Sequence, residues 1–125
     1  MMETEIVNAE RLAVSLLGEP PLMTIALRGE LTSPDGEAVL DAYRRATAQG
    51  ARSIVVDFAG VELMNSGGIS QIVAILTETR KARQRLLFAG LTPHYRKIFT
   101  MMGLIRYAWV FDTAAEAYAA EKAGN

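Results

Sequence analysis

The chain has 125 residues, half of them hydrophobic and 22% charged, which suits one domain with a buried core and excludes disorder over most of its length. Thirteen basic against fourteen acidic residues leave a formal net charge of −1, without the basic excess expected of a nucleic-acid binder. Cysteine is absent, which excludes structural disulfides, thiol nucleophiles and thiolate metal sites together.

Met1 to Asn8 carries Glu3 and Glu5 and no apolar segment, so it does not read as a signal peptide. No apolar run approaches the roughly 20 residues of a membrane helix. A soluble, cytoplasmic protein without membrane insertion is expected. Leu12–Leu17 and Leu22–Leu31 are strand-like, and Gly18-Glu19-Pro20-Pro21 between them reads as a turn. They are expected to form an antiparallel hairpin with the first strand at the sheet edge. Thr32-Ser33-Pro34-Asp35 opens a helix, with Ser33 as N-cap, Pro34 at the first helical position and Glu37 in the first turn. Val39, Leu40 and Tyr43 mark its inner side, Arg44 and Arg45 its outer side, and Gly50 its stop.

Ile54, Val55 and Val56, closed by Asp57 and Phe58, form a β-branched run that reads as a strand buried on both faces. From Ile69 the period changes, with Ile72, Val73 and Leu76 following at helical spacing. This helix ends in a basic turn near Lys81–Gln84, which suits its negative pole. Leu86–Ala89 is the next strand. Thr92-Pro93 starts a helix over His94–Met102, with Gly103 after it. Tyr107–Phe111 reads as a last strand, and Asp112 or Thr113 caps a final helix whose polar end should fray from Glu121. Repeated βα units imply right-handed crossovers, hence an α/β domain with a mostly parallel sheet, an antiparallel N-terminal edge strand and about four helices. One domain spans residues 1–125, its core about 12–120.

The chain is organised around the passage from the Ile54 strand to the Ile69 helix. Asn65, Ser66, Gly67 and Gly68 occupy it. Asn and Ser are good N-caps, since a short side-chain oxygen accepts from an orphan helix amide. The glycines let other groups approach the backbone. A serine there has its hydroxyl beside free N–H groups and the positive end of a helix dipole. Taken alone, a cap is the commoner role for such a pair.

Catalytic chemistry is sparse. His94 is the single histidine and, at a helix start, reads as structural or incidental. With one histidine and no cysteine, a transition-metal site is not expected. Gly67-Gly68 lacks the lysine of a Walker-type loop, and the dinucleotide fingerprint is missing. Asp57 is expected to end its strand and Glu62 to be solvated in a loop. No enzyme, resident metal or cofactor is expected.

The Gly29-Glu30-Leu31 tripeptide, IVVDFAGVELMNSGGI and the later GLTPHYRKIFTMMGL, in this order of elements, resemble the STAS domain of anti-sigma factor antagonists over about Leu12–Ala120. In that family the central motif reads Asp-Ser-Ser-Gly or Asp-Ser-Ala-Gly, and its first serine is phosphorylated by a partner kinase that is also the anti-sigma factor. That serine corresponds to Ser66, the aspartate to Asn65, and the last two residues to Gly67 and Gly68. Two positions depart from the pattern: Asn65 removes a carboxylate beside the hydroxyl, and Thr32 stands where many members carry Asp in a partner-facing loop.

The resemblance implies a phosphorylation-controlled binding switch with Ser66 as phosphoacceptor and Gly67-Gly68 as clearance for nucleotide phosphates. The partner, an anti-sigma factor/serine kinase, is expected to bind Thr32, Ser33, Met64, Asn65, Ser66, Gly67, Gly68, Ile69 and Gln71. Ile69 reads equally as core. Met101 and Met102 lie at helical spacing and read as core, Met102 being the more exposed. The alternative is an unphosphorylated STAS scaffold subunit of a signalling or lipid-transport complex, in which Ser66 only caps its helix. A third reading is a small-ligand or nucleotide-binding domain that uses the helix end as an anion site.

Overall fold

A computed structural model describes residues 3–8, 11–32 and 37–123. The strands are β1 (Glu3–Asn8), β2 (Leu12–Glu19), β3 (Leu22–Leu31), β4 (Ser53–Met64), β5 (Arg85–Ala89) and β6 (Trp109–Phe111). The helices are α1 (Ala38–Ala48), α2 (Ser66–Lys81), α3 (Pro93–Met101) and α4 (Ala114–Ala123), with a 3₁₀ turn at Leu104–Arg106. All six strands join one sheet in chain order. β1, β2 and β3 pair antiparallel, and β3, β4, β5 and β6 pair parallel.

Because each parallel strand is laid down on the same side of its predecessor, crossovers of one hand put α1, α2 and α3 on a single face. Val39, Ile72, Ile75 and Phe99 of these helices share one core cluster with Val14, Ile25, Ile54, Val56 and Phe88 of the sheet. Val55, Leu87 and Ala89 point the other way and are covered by Ala117 of α4, with Tyr118 packed beside it. Period-2 alternation would leave Val55 wet in a one-sided sheet. Here Ile54, Val55 and Val56 are all fully buried, as a strand covered on both faces requires.

The α/β class and the mostly parallel sheet agree with the sequence expectation, and the structure differs from it in detail at several elements. The edge position falls to β1, which pairs with β2, so Leu12–Glu19 is an inner strand. The Ile54 strand does not end at Asp57. It continues to Met64 by pairing with β3 alone, after irregularities that shift the register near Arg28 and Glu30. Glu62 therefore lies in a strand, although it is exposed. Helix α1 begins at Ala38 with Glu37 at the cap position and no side-chain cap bond. The expected N-cap Ser33 and Pro34 lie outside the described residues.

The C-terminal helix does not fray at Glu121. That carboxylate is buried, accepts from the Ser53 hydroxyl and pairs with Arg85 at 2.9 Å. Met101 and Met102 are outside, 77% and 50% exposed, because Phe99 and Leu104 fill the core at that end of α3. Among the described residues no helix is long and apolar enough to cross a membrane.

Candidate functional site

Beyond Asp57 strand β4 loses β5 as a neighbour, since β5 pairs only with Ser53–Asp57. Its last residues are held by other means. Asp57 Oδ1 accepts from the Ala59 amide at 3.0 Å, fixing the turn of backbone past the last shared pair. At the far end, the Tyr95 hydroxyl of α3 accepts from the Met64 amide at 2.8 Å. Tyr95 is positioned in turn by the start of its own helix, where Thr92 Oγ1 accepts from the Tyr95 amide. The Phe99 ring, one turn further on, meets Phe58 and Phe88 edge-on at centroid distances of 5.6 and 5.4 Å. The residue preceding the candidate site is thus fixed from β3 and from α3.

Asn65 caps α2. Its backbone is extended, at φ −112° and ψ −178°, and its Oδ1 accepts from the Gly68 amide at 2.8 Å. Its carbonyl accepts from Ile69, and its own amide donates to the Leu31 carbonyl at 3.3 Å. With Gly68 and Ile69 served, the amides of Ser66 and Gly67 remain as donors that an α-helix cannot satisfy internally. Ser66 is the first residue of the helix and is exposed, as is Asn65. The arrangement is a hydroxyl open to solvent beside two N–H groups that have no partner among the described residues, at the positive pole of a sixteen-residue helix. It can carry a covalently attached anion. Among the described residues no histidine or carboxylate bonds the Ser66 hydroxyl.

Gly68 has a packing duty of its own. A Cβ there would stand 2.1 Å from the Leu31 carbonyl oxygen and 2.7 Å from its carbon. The first turn of α2 sits directly on the end of β3, and only glycine allows that approach. Gly29, in the Gly-Glu-Leu tripeptide, is constrained likewise: it has φ +105°, and a Cβ would meet the Arg11 carbonyl oxygen at 2.0 Å.

Of the residues expected to touch a partner, Asn65 and Ser66 are exposed and Gly67 is half-buried. Thr32, Met64 and Ile69 are buried, at 6%, 6% and 8% exposure, and Gly68 is buried under Leu31. These four form the floor of the site rather than its surface. Gln71 is half-buried, and both of its side-chain amide atoms are enclosed without a hydrogen-bond partner among the described residues. Ser33 lies outside them. Two supports carry no local signal in the sequence, Tyr95 and the Leu31 carbonyl. Thirty-one residues separate Tyr95 from Met64, and no local pattern announces a contact of that span.

The sequence model of the family described as "Mlab, STAS domain" matches residues 14–110. No curated protein matches the chain in sequence. Among solved structures, the anti-sigma factor antagonist SpoIIAA in its unphosphorylated form is similar at TM-score 0.72 and 23% identity, over 90% of this chain and 100% of that one. The phosphorylated form of this Bacillus cell fate determinant gives 0.69 and 25%, over 86% and 97%. An anti-sigma factor antagonist from Mycobacterium paratuberculosis gives 0.76 and 18%, over 91% and 97%. A sulfate transporter family protein from Wolinella succinogenes gives 0.70 and 14%, over 85% and 88%. At these identities the likeness establishes a shared fold, across proteins of differing duty.

Proposed function

The chain belongs to the family of the Mlab, STAS domain, and on that premise we propose that it is an anti-sigma factor antagonist switched by phosphorylation of Ser66. With Ser66 free, the exposed start of α2 docks on an anti-sigma factor that is also a serine kinase. The kinase supplies ATP, Mg²⁺ and the catalytic groups. This chain supplies the acceptor oxygen. Phosphate adds a charge of roughly −1.5 to −2. The free amides of Ser66 and Gly67 and the α2 dipole accommodate it locally, so the domain itself changes little. A partner surface fitted to a neutral hydroxyl instead meets a desolvated dianion, at a cost of several kcal/mol, or about two decades of affinity and more. The partner is then released in the cytoplasm to hold its sigma factor.

The observation that carries this reading is the placement of Ser66: exposed, at the first position of α2, on a backbone fixed by Asn65, Leu31 and Tyr95. Its test is incubation with the cognate kinase and ATP followed by mass spectrometry. One phosphate on Ser66, abolished in Ser66→Ala, is expected, together with partner binding that survives Ser66→Ala and is lost in Ser66→Asp. Binding indifferent to both substitutions would overturn the switch.

That second outcome belongs to an unphosphorylated scaffold subunit of a signalling or lipid-transport assembly. Asn65 favours it, because the motif's carboxylate is missing while the cap remains complete. The fold shared with a sulfate transporter family protein is compatible with either duty.

A further inference from the structure

The pole of the sheet opposite Ser66 carries a cavity of about 440 Å³, and four of its eight lining residues are cations, beside Pro21 and Leu22. Arg52 enters from the loop before β4, Arg83 from the turn after α2, Arg85 from β5 and Lys122 from α4. Ser53 and Glu121 complete the polar lining. The one carboxylate is already engaged: it accepts from the Ser53 hydroxyl and from Arg85 Nε. Arg85 is further fixed by Trp109, whose ring centroid lies 4.3 Å from its guanidinium carbon. Arg52, Arg83 and Lys122 are exposed and, among the described residues, have no ion-pair partner. In a chain of net charge −1, three unpaired cations gathered from three elements around one cavity are a local feature.

The dipole of α2 does not explain them. Arg80 and Lys81 occupy its last turn and already complement that pole. Arg52 and Lys122 belong to other segments. Arg83 sits where it opposes backbone preference. The amides of Arg83 and Gln84 donate to the carbonyls of Arg80 and Thr79, the pair of bonds that closes a helix through a left-handed residue. Arg83 is that residue, at φ +57°, and is the one non-glycine residue of positive φ among those described. Glycine is the ordinary occupant of this position and would be at ease there. An arginine contributes nothing to the cap, but it places a guanidinium at the cavity rim.

We propose that this cavity binds a phosphate-bearing polyanion. Guanidinium forks from Arg52 and Arg83 match phosphate oxygens in pairs, and the Lys122 ammonium adds a point charge. The Ser53–Glu121–Arg85 group forms a fixed wall. The volume exceeds that of one orthophosphate and falls in the range of small organic ligands. Three cations call for a charge of −2 or more, which phosphate chemistry supplies and a lone carboxylate does not. The ligand is a free phosphate ester or the head group of an anionic lipid. The site lies a full strand length from Ser66, roughly 35 Å at about 3.3 Å per residue, and it stands or falls apart from the phosphorylation reading.

The test uses the full chain at low ionic strength in two arms: calorimetric titration with inorganic pyrophosphate, and co-sedimentation with phosphatidylglycerol vesicles against phosphatidylcholine vesicles. Binding in either arm is expected to weaken roughly tenfold in Arg52→Gln and in Arg83→Gly. Arg45→Gln, an equal change of charge on the exposed side of α1, should leave it unchanged. Arg83→Gly should keep or raise the thermal midpoint, so its loss of binding cannot be attributed to misfolding. Pyrophosphate binding alone identifies a free phosphate ester, and selective binding to phosphatidylglycerol vesicles identifies a head group. Absence of binding in both arms, or binding that Arg45→Gln weakens as much as Arg52→Gln, overturns the proposal.

Discussion

At the scale of single residues, the start of α2 depends on two side chains with opposite requirements. Asn65 needs an oxygen, because its Oδ1 is the acceptor for the third helical amide. Gly68 must have no side chain at all, because the space beside its Cα is filled by the Leu31 carbonyl. A flexible neighbour could yield to a methyl group, whereas a backbone carbonyl at the end of a strand cannot. Gly68→Ala is therefore expected to destabilise the fold by about 2 kcal/mol despite its gain in helix propensity, measured as a lower urea midpoint. A stability equal to wild type would mean that α2 does not rest on β3 in this way. Ser66 has neither constraint, so Ser66→Ala should fold normally and serve as a clean probe of docking.

At the scale of elements, side chains rather than backbone pairing join α1 to the end of α2. The Tyr43 hydroxyl donates to Gln84 Oε1 at 2.5 Å, while Gln84 Nε2 donates to the Thr47 hydroxyl and the Ala51 carbonyl, each at 3.0 Å. Burial pushes the Tyr43 hydroxyl above the usual tyrosine value of 10.0, and the Glu78 carboxylate adds to the effect. The protonated form is thus favoured by folding. Its contribution is fully present below the unfolded-state pKa, near 10, and is lost as pH rises through the higher folded-state value. The stability difference between wild type and Tyr43→Phe should be constant below about pH 9 and shrink above pH 10. Denaturation curves across that range check it, and a difference that grew with pH would contradict the sign.

At the scale of the whole molecule, α4 is the only helix among those described that covers the second face of the sheet, and it does so with small residues. Ala117 is buried over Val55, Leu87 and Ala89. Alanine buries little area, so polar contacts make up part of the attachment. The Tyr118 hydroxyl lies 2.9 Å from Thr24 Oγ1, and Glu121 joins Ser53 and Arg85. Arg85 is half exposed, so solvent screening reduces the worth of the ion pair well below that of a buried one. Glu121→Ala is expected to cost about 1–3 kcal/mol, mainly through the stranded Ser53 hydroxyl and Arg85. Thermal unfolding measures it. An unchanged midpoint would show that α4 is held by its apolar contacts alone.

Elements whose signal is local were legible in the sequence. The β-branched run Ile54–Val56, the period change at Ile69, the Thr92-Pro93 helix start and the Asn65 cap each follow from dihedral preference and hydrogen-bonding capacity within a few residues. They also placed Ser66 at the start of α2. What tertiary structure alone decided concerns partners distant along the chain. Strand β1 forms because β2 offers a free edge to a segment with little hydrophobic pattern of its own. Strand β4 outruns β5 because β3 continues beside it. The charged tail turns inward at Glu121 because Ser53 and Arg85 wait on other strands. Local chemistry thus wrote the site and most of the elements into the sequence. Which residues stand at its surface and which form its floor was fixed only when Leu31, Tyr95 and α2 came together, since burial is a property of neighbours and not of a residue.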